Sequence, residues 1–143
     1  MSTLYAETSA VLRWLLNDPD GDVARREIDA HESVLASVLT SVEVERALVR
    51  ARRDGLLSEA DSRKLIGDYR SASRGWTFVE ISETVRTRAA AEFPVEPVRT
   101  LDAVHLASAL ELLAVHPDLE VLTFDTRILD NLRPLGLKPA TRS

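Results

Sequence analysis

The chain has no cysteine and almost no lysine among its 143 residues. Without cysteine, disulfide bonds and thiolate-bound zinc or iron–sulfur sites are excluded, so we expect any bound metal ion to have oxygen ligands. Only Lys64 and Lys138 are lysines among the 18 basic residues, and arginine carries the rest of the positive charge. The planar guanidinium suits phosphate or carboxylate recognition, although a coding bias toward alanine and arginine would give the same composition.

Long apolar segments and an excess of positive charge are also missing. No apolar run reaches the ~18 residues of a membrane span, and no secretion signal is present, so we expect a cytoplasmic protein without membrane contact. The net charge of −5 argues against a globally basic nucleic-acid surface but allows local basic clusters. With 45% hydrophobic residues, we expect one domain over 1–143, with about 140–143 a flexible tail.

Strand and helix patterns alternate along the chain. Short apolar segments predict strands at 3–7, 33–37, 76–81 and 119–124, and "LGLKP" predicts a small fifth. Helical patterns fall at about 8–17, 22–30, 40–53, 58–73, 82–93 and 100–116, with a short helix starting at 125 or 126. This alternation predicts an α/β fold of three α/β/α layers around a mostly parallel sheet of four to five strands. Such sheets bind ligands at the carboxyl ends of their strands.

Four acidic residues are predicted to lie near this edge of the sheet. Glu7 ends the first strand, and Asp125 follows the fourth. Glu43 and Asp102 fall in the first turns of two predicted helices. Neighbouring carboxylates raise one another's pKa unless a cation neutralises them. Mg²⁺ takes oxygen ligands and activates water for phosphodiester hydrolysis, so this pattern favours a metal-dependent site acting on a phosphodiester.

Three of these acids also have a purely structural interpretation. With Thr40 as the helix cap, Glu43 completes a T-x-x-E capping box. Asp102 complements the positive end of its helix, and Asp125 is a possible N-cap.

Glu7 fits a capping role least well. Thr8 and Ser9 follow it directly and already supply caps for the first helix. An unpaired acid at the end of a buried strand costs desolvation energy, so Glu7 favours the functional interpretation.

The segments around these acids resemble the motifs of a known family. "YAETSAVLRWLL" is similar to the opening strand and helix of PIN-domain proteins. "SVEVERAL", "VRTLDAVHLASAL" and "VLTFDTRIL" are similar to their second, third and fourth acidic motifs. The order, spacing and total length resemble those of the VapC toxins of bacterial toxin–antitoxin pairs. The resemblance covers nearly the whole chain and implies a PIN-like domain.

The resemblance implies a type II toxin that is a Mg²⁺- or Mn²⁺-dependent endoribonuclease, usually a homodimer, silenced by a VapB-type antitoxin. It places the catalytic acids at Glu7, Glu43, Asp102 and Asp125. Glu7, Asp102 and Asp125 would hold the metal, with Glu43 as a ligand or as the group that positions the attacking water. It also places hydroxyls near the metal and substrate, at Thr123 and at Thr8 or Ser9.

Arginines extend along the helix that carries Glu43. Arg46 and Arg50 lie three and seven residues after Glu43, on or near the same helix face, and Arg53 continues the stripe. A basic stripe beside an acidic site would guide an RNA backbone toward it, so we predict that Arg46 and Arg50 bind substrate. The alternative is a solvated face with a Glu43–Arg46 ion pair.

His105 follows Asp102 by three residues on the same predicted helix. We do not expect a D-x-x-H metal pair, because Mg²⁺ prefers oxygen ligands. A hydrogen-bonded structural histidine is the expected role.

Two alternatives to an active nuclease remain. The first family position is usually Asp, and the extra methylene of Glu7 displaces the carboxylate by roughly 1.5 Å. We interpret Glu7 as tolerated at this position, but because octahedral Mg²⁺ tolerates misplaced ligands poorly, it leaves open a catalytically impaired PIN-like domain that acts by binding RNA or an antitoxin. A phosphorelay receiver is the other alternative, but it needs paired acids on the first strand and an acceptor Asp after the third, which here ends "FVEIS".

Overall fold

The computed structural model describes residues 2–140, and five short strands form one sheet. Every neighbouring pair of strands is parallel, in the order β3-β2-β1-β4-β5. The strand that comes first in the sequence therefore lies at the centre. This confirms the predicted α/β class and parallel sheet. The strands are β1 (Thr3–Ala6), β2 (Ser33–Ser37), β3 (Thr77–Val79), β4 (Glu120–Leu122) and β5 (Lys138–Pro139).

Within residues 2–140, seven α-helices cover both faces of this sheet. Successive residues of β1 pack in different apolar clusters, as expected when their side chains point to opposite faces of the sheet. Tyr5 packs in a cluster with Leu106 and Ile128, whereas Ala6 packs in one with Val11 and Val44. The helices are α1 (Thr8–Leu16), α2 (Gly21–Ala30), α3 (Val38–Arg53), α4 (Glu59–Ser73), α5 (Glu83–Ala89), α6 (Thr100–Val115) and α7 (Thr126–Leu132), and a 3-10 turn (Arg133–Leu135) follows α7.

The start of α1 differs from the sequence prediction. The N-cap is Glu7, whose carboxylate accepts a hydrogen bond from the Ser9 backbone N–H (3.1 Å). Thr8 and Ser9 were wrongly predicted as caps, because they lie inside the first turn and use their hydroxyls for tertiary contacts.

The start of α3 also differs. Ser37 is the N-cap, with its hydroxyl accepting from the Leu39 backbone N–H (3.1 Å). Thr40 therefore lies inside the helix, buried, and hydrogen-bonds the hydroxyl of Thr8 (3.0 Å). The predicted capping box of Thr40 and Glu43 was wrong.

The segment after α5 explains why this helix ends at Ala89 rather than near 93. The Glu96 carboxylate accepts from the backbone N–H groups of Phe93 (2.9 Å) and Val98 (2.7 Å). Phe93 itself is buried in the core. These bonds compete with helix continuation, and α6 then begins after Arg99 as N-cap instead of Thr100.

The last described residue continues the edge of the sheet. The Ala140 backbone N–H donates to the Val121 carbonyl (2.8 Å). The rest of the predicted tail, 141–143, lies outside the described residues. Over residues 2–140, no helix is both long and apolar enough to cross a membrane. The cytoplasmic location stays a prediction.

Candidate active site

Glu7 occupies the junction between β1 and α1, at the carboxyl end of the central strand. Its side chain is buried, and Oε1 accepts hydrogen bonds from the hydroxyls of Thr123 (2.6 Å) and Ser9 (2.5 Å). The Glu7 backbone N–H donates to the Leu122 carbonyl (3.0 Å), so β1 and β4 are joined at this point. Parallel strands thus bring Glu7 and Thr123 together, although they are 116 positions apart.

Hydroxyl groups connect this junction to the one that follows β4. The Ser9 hydroxyl accepts from the Phe124 backbone N–H (2.9 Å). The Thr123 hydroxyl accepts from the Asp125 backbone N–H (3.1 Å). Asp125 is therefore held beside Glu7 through Thr123, as the parallel arrangement predicts.

Glu43 approaches the site from the second turn of α3. Its Oε1 accepts from the Thr8 hydroxyl (2.7 Å) and from Nε2 of His105 (2.8 Å). Burial alone would raise the pKa of Glu43, but these two hydrogen bonds lower it below its usual value. Glu43 is therefore ionised at neutral pH. His105 Nε2 also lies 4.0 Å from Oε2 of Glu7, so it stands between the two carboxylates.

Asp102 and Asp125 lie at the starts of α6 and α7. Asp102 accepts from the Arg99 backbone N–H (3.3 Å), and Asp125 accepts from the backbone N–H groups of Arg127 (2.9 Å) and Ile128 (3.4 Å). Both acids thus make helix-terminal contacts. In addition, burial and then the negative charge of Asp125 raise the pKa of Asp102. The two carboxylates are close enough to repel each other, and a bound cation would relieve that repulsion.

The acidic residues lie at one edge of the sheet, but their side chains are not arranged as a set of metal ligands. Across residues 2–140, no group of three or more His, Asp or Glu side chains is arranged to hold a metal ion. The donor chemistry nevertheless fits a hard divalent cation, because all the acidic groups supply oxygen. Oε2 of Glu43, Oδ1 of Asp102 and Oδ2 of Asp125 make no hydrogen bond within the described chain. Both oxygens of Glu7, by contrast, accept hydrogen bonds.

A groove of about 370 Å³ adjoins Glu43. Arg46 and Arg50 line it, and neither guanidinium group makes a hydrogen bond or an ion pair with any residue of 2–140. The alternative Glu43–Arg46 pair is therefore absent, because Glu43 bonds Thr8 and His105 instead. The predicted substrate residues Thr8, Arg46 and Arg50 line a single groove together with Glu43. Its apolar lining is Leu12, Leu39, Val42, Ala47 and Leu101.

One contributor to the site escaped the sequence analysis. Tyr5 had no signal beyond that of a core residue in a strand, yet its hydroxyl contacts Nδ1 of His105 (2.7 Å). His105 was predicted to be a hydrogen-bonded structural residue, and its hydrogen bonds place it among the acids. Its D-x-x-H spacing from Asp102 was the signal that located it on the same helix face.

Comparison with known proteins identifies the family. The model of the PIN domain family matches residues 4–133. Ribonuclease VapC46 of Mycobacterium tuberculosis (strain ATCC 25618 / H37Rv) is 30% identical over 138 residues, which cover 96% of this chain and 95% of that protein. The chain belongs to the VapC family of PIN domains. This confirms the family that the four motifs resembled.

Further VapC relatives match over similar lengths. Ribonuclease VapC45 of Mycobacterium tuberculosis (strain CDC 1551 / Oshkosh) is 32% identical over 143 residues, covering 98% of this chain and 96% of the relative. Ribonuclease VapC35 of the same strain is 28% identical, covering 94% and 93%. A solved structure described as a toxin-antitoxin complex from Klebsiella pneumoniae shares the fold, with a TM-score of 0.64 and 20% identity over 99% of this chain and 100% of that chain.

Proposed function

We propose that this VapC-family protein is an endoribonuclease and the toxin of a type II toxin–antitoxin system. The observation that carries the proposal is the position of Glu43, which lines one groove with Arg46 and Arg50 and is linked through His105 to the neighbourhood of Glu7. An acidic centre next to two unpaired guanidinium groups suits a polyanionic backbone that is cleaved with the help of a cation. The relatives named VapC46, VapC45 and VapC35 are ribonucleases by name, which supports RNA as the substrate.

Mg²⁺ or Mn²⁺ is the proposed cofactor. Glu7, Asp102 and Asp125 would hold the ion, which when bound supplies an activated water and stabilises charge on the phosphoryl group. Burial and then the negative charge of Asp125 raise the pKa of Asp102, and this repulsion between the two acids supports a cation near them. Glu43 is ionised and has Oε2 unbonded within residues 2–140, so it is suited to orient the attacking water and accept its proton.

The groove divides substrate recognition between two kinds of side chain. Arg46 and Arg50 would bind phosphates, because neither has an anionic partner in residues 2–140. Val42 and Leu101 are exposed by 61% and 47% and would contact unstacked bases. Thr8 and Thr123 would hold the carboxylates in place rather than read the sequence of the RNA.

A VapB-type antitoxin is the proposed protein partner. Support comes from the family and from a solved structure of the same fold whose description names a toxin-antitoxin complex. The predicted homodimer stays a prediction.

Cleavage of RNA by the purified protein tests the proposal. We expect cleavage with Mg²⁺ or Mn²⁺, none after chelation, and none in Asp102→Asn at the same metal concentration. Glu43→Gln should lower kcat by about 10²–10⁴-fold if this group accepts the proton. Asp130→Asn is the matched control, because Asp130 is exposed on α7, away from the acidic groups.

The opposite result favours the alternative of an impaired PIN domain. Glu7 is the reason for that alternative, because both of its carboxylate oxygens already accept hydrogen bonds from Ser9 or Thr123. The protein would be an impaired domain if it binds RNA but does not cleave it with Mg²⁺ or Mn²⁺, and if Glu7→Asp restores cleavage.

Thermal unfolding tests the metal separately. An ion that binds only the folded state stabilises it by about 2.7 kcal/mol at 100 times its Kd. Asp125→Asn keeps an N-cap residue and removes the negative charge that adds to the effect of burial in raising the pKa of Asp102. We expect this variant to be at least as stable without metal and to lose the stabilisation by Mg²⁺. Undiminished stabilisation would argue against Asp125 as a ligand.

A further inference from the structure

His105 makes two short hydrogen bonds through its two ring nitrogens. Nδ1 lies 2.7 Å from the hydroxyl of Tyr5, and Nε2 lies 2.8 Å from Oε1 of Glu43. The imidazole is 2% exposed, and Tyr5 is fully buried on the central strand. The ring is thus fixed at both ends, in a chain of contacts from the core through His105 to Glu43.

The chemistry of the carboxylate determines that Nε2 carries a proton. A carboxylate oxygen only accepts hydrogen bonds, so an unprotonated Nε2 at 2.8 Å would set two lone pairs against each other. Nε2 therefore donates a hydrogen bond to Glu43. Nδ1, on the other side of the ring, hydrogen-bonds the hydroxyl of the buried Tyr5, which holds the ring in its orientation.

The two oxygens of Glu43 consequently differ in their surroundings. Oε1 accepts from His105 and Thr8, whereas Oε2 has no hydrogen bond within residues 2–140. The Glu43 side chain is 24% exposed and lines the groove with Arg46. Removing the His105 donor would leave the Thr8 hydroxyl as the group that orients this carboxylate.

We propose that His105, held at Nδ1 by Tyr5, is a positioning residue: its Nε2–H fixes Oε1 of Glu43 and leaves Oε2 for the attacking water. The role rests on the proposed ribonuclease function. Ordering of a reacting group by a hydrogen-bonded neighbour is typically worth about 10–100-fold in activity. His105 itself touches neither RNA nor a metal ion in this scheme.

Substitutions at His105 separate this role from simple packing. His105→Leu fills similar volume without a donor, whereas the amide of His105→Gln can place an N–H near the position of Nε2. We expect His105→Leu to lower kcat about 10–100-fold with KM for RNA unchanged, and His105→Gln to recover most of that loss. His116→Leu, at the other end of α6, is the matched control with unchanged kcat. Full activity in His105→Leu, or equal loss in both His105 variants, would overturn the proposal.

Nuclear magnetic resonance gives a test that does not need activity. In ¹⁵N-labelled protein we expect a proton on Nε2 of His105, and Tyr5→Phe to change the chemical shift of Nδ1. The carboxyl carbon of Glu43 should shift in His105→Leu and return toward its original value in His105→Gln. The absence of a proton on Nε2 in the unsubstituted protein would overturn the proposal, even if His105→Leu does not fold. Absence of RNA cleavage in the unsubstituted protein would instead count against the proposed function.

Discussion

The Thr123 hydroxyl donates a hydrogen bond of 2.6 Å to Oε1 of Glu7, across the junction of two parallel strands. The same hydroxyl accepts from the backbone N–H of Asp125. A single buried oxygen therefore links the carboxyl end of β1 with the start of α7. It supplies part of the solvation that the buried Glu7 carboxylate loses on folding.

Replacing this hydroxyl tests how much the link contributes. Thr123→Val keeps the shape but removes a donor to a charged group, so we expect a loss of about 1.5–3 kcal/mol in the free energy of unfolding. Urea titration measures this loss, and Thr123→Ser should restore most of it. Thr126→Val, at an exposed position nearby, should change stability by less than about 0.5 kcal/mol. Equal stability of Thr123→Val and the unsubstituted protein would show that Glu7 is solvated by other groups.

The proposed phosphate contacts of Arg46 and Arg50 predict how RNA affinity depends on salt concentration. If each contacts one phosphate of single-stranded RNA, each Arg→Gln change should reduce the slope of log K against log salt by about 0.7. Affinity should fall for all RNA sequences alike, because phosphate contacts carry no sequence information. Arg63→Gln is a suitable control, since Arg63 is an exposed residue of α4 that pairs with Glu59. Fluorescence anisotropy over a range of salt concentrations gives the slopes, and an unchanged slope would remove these arginines from the RNA site.

The surroundings of His31 predict how the stability of the fold depends on pH. Its Nε2 lies 2.7 Å from Oε1 of Glu120, and its Nδ1 lies 2.7 Å from the Glu27 carbonyl. Burial alone would lower the pKa of His31, but these hydrogen bonds and the two carboxylates raise it above its usual value of 6.5. Protonation therefore favours the folded state. The contribution of His31 is complete below about pH 6.5 and is lost as the pH rises through the raised pKa.

Urea unfolding of His31→Gln between about pH 5 and pH 8 measures this contribution. We expect its stability deficit relative to the unsubstituted protein to be largest at the acidic end of the range. Glu120→Gln should show a smaller change with pH, because one of the charges that raises the pKa is gone. A deficit that grows with rising pH would contradict the assignment.

Gly21 and Gly67 respond oppositely to the same substitution. A Cβ at Gly21 would lie 2.7 Å from the Arg13 carbonyl oxygen, whereas a Cβ at Gly67 would meet no atom within 4 Å. Gly67 lies inside α4, so Gly67→Ala should stabilise the protein by about 0.5–1 kcal/mol. Gly21→Ala should destabilise it, because α2 must move away from Arg13. Thermal unfolding compares the two, and a stable Gly21→Ala variant would mean that this helix start adjusts freely.

The sequence was enough to predict the strands and their parallel arrangement, but not their order in the sheet. β2 was predicted at 33–37 and lies there, because a short apolar run with flanking polar residues has few alternatives. The helix starts were less predictable. Thr8, Ser9 and Thr40 all have hydroxyls able to cap a helix, but in the fold Thr8 and Thr40 contact each other. The tertiary contact between these two hydroxyls therefore outweighs their local preference for capping a helix.

The site shows the same limit. The parallel arrangement indicated that Glu7 and Asp125 could be neighbours, since each was predicted at or just after the end of a strand. The contact between Tyr5 and His105 spans 100 positions, and a tyrosine in an apolar strand looks like an ordinary core residue. Only the fold shows that its hydroxyl meets a histidine instead of another apolar group.

The central place of β1 has a consequence for synthesis on the ribosome. This strand emerges early, but its neighbour β4 at Glu120–Leu122 emerges more than 100 residues later. Until then Glu7 has no Thr123 beside it, and the negative groups are distributed along an unfinished polypeptide. In a growing chain, the buried carboxylate of Glu7 therefore lacks one of its hydrogen-bond donors until Thr123 has been synthesised. The order of the strands makes the joining of β1 to β4 a late step relative to the synthesis of β1.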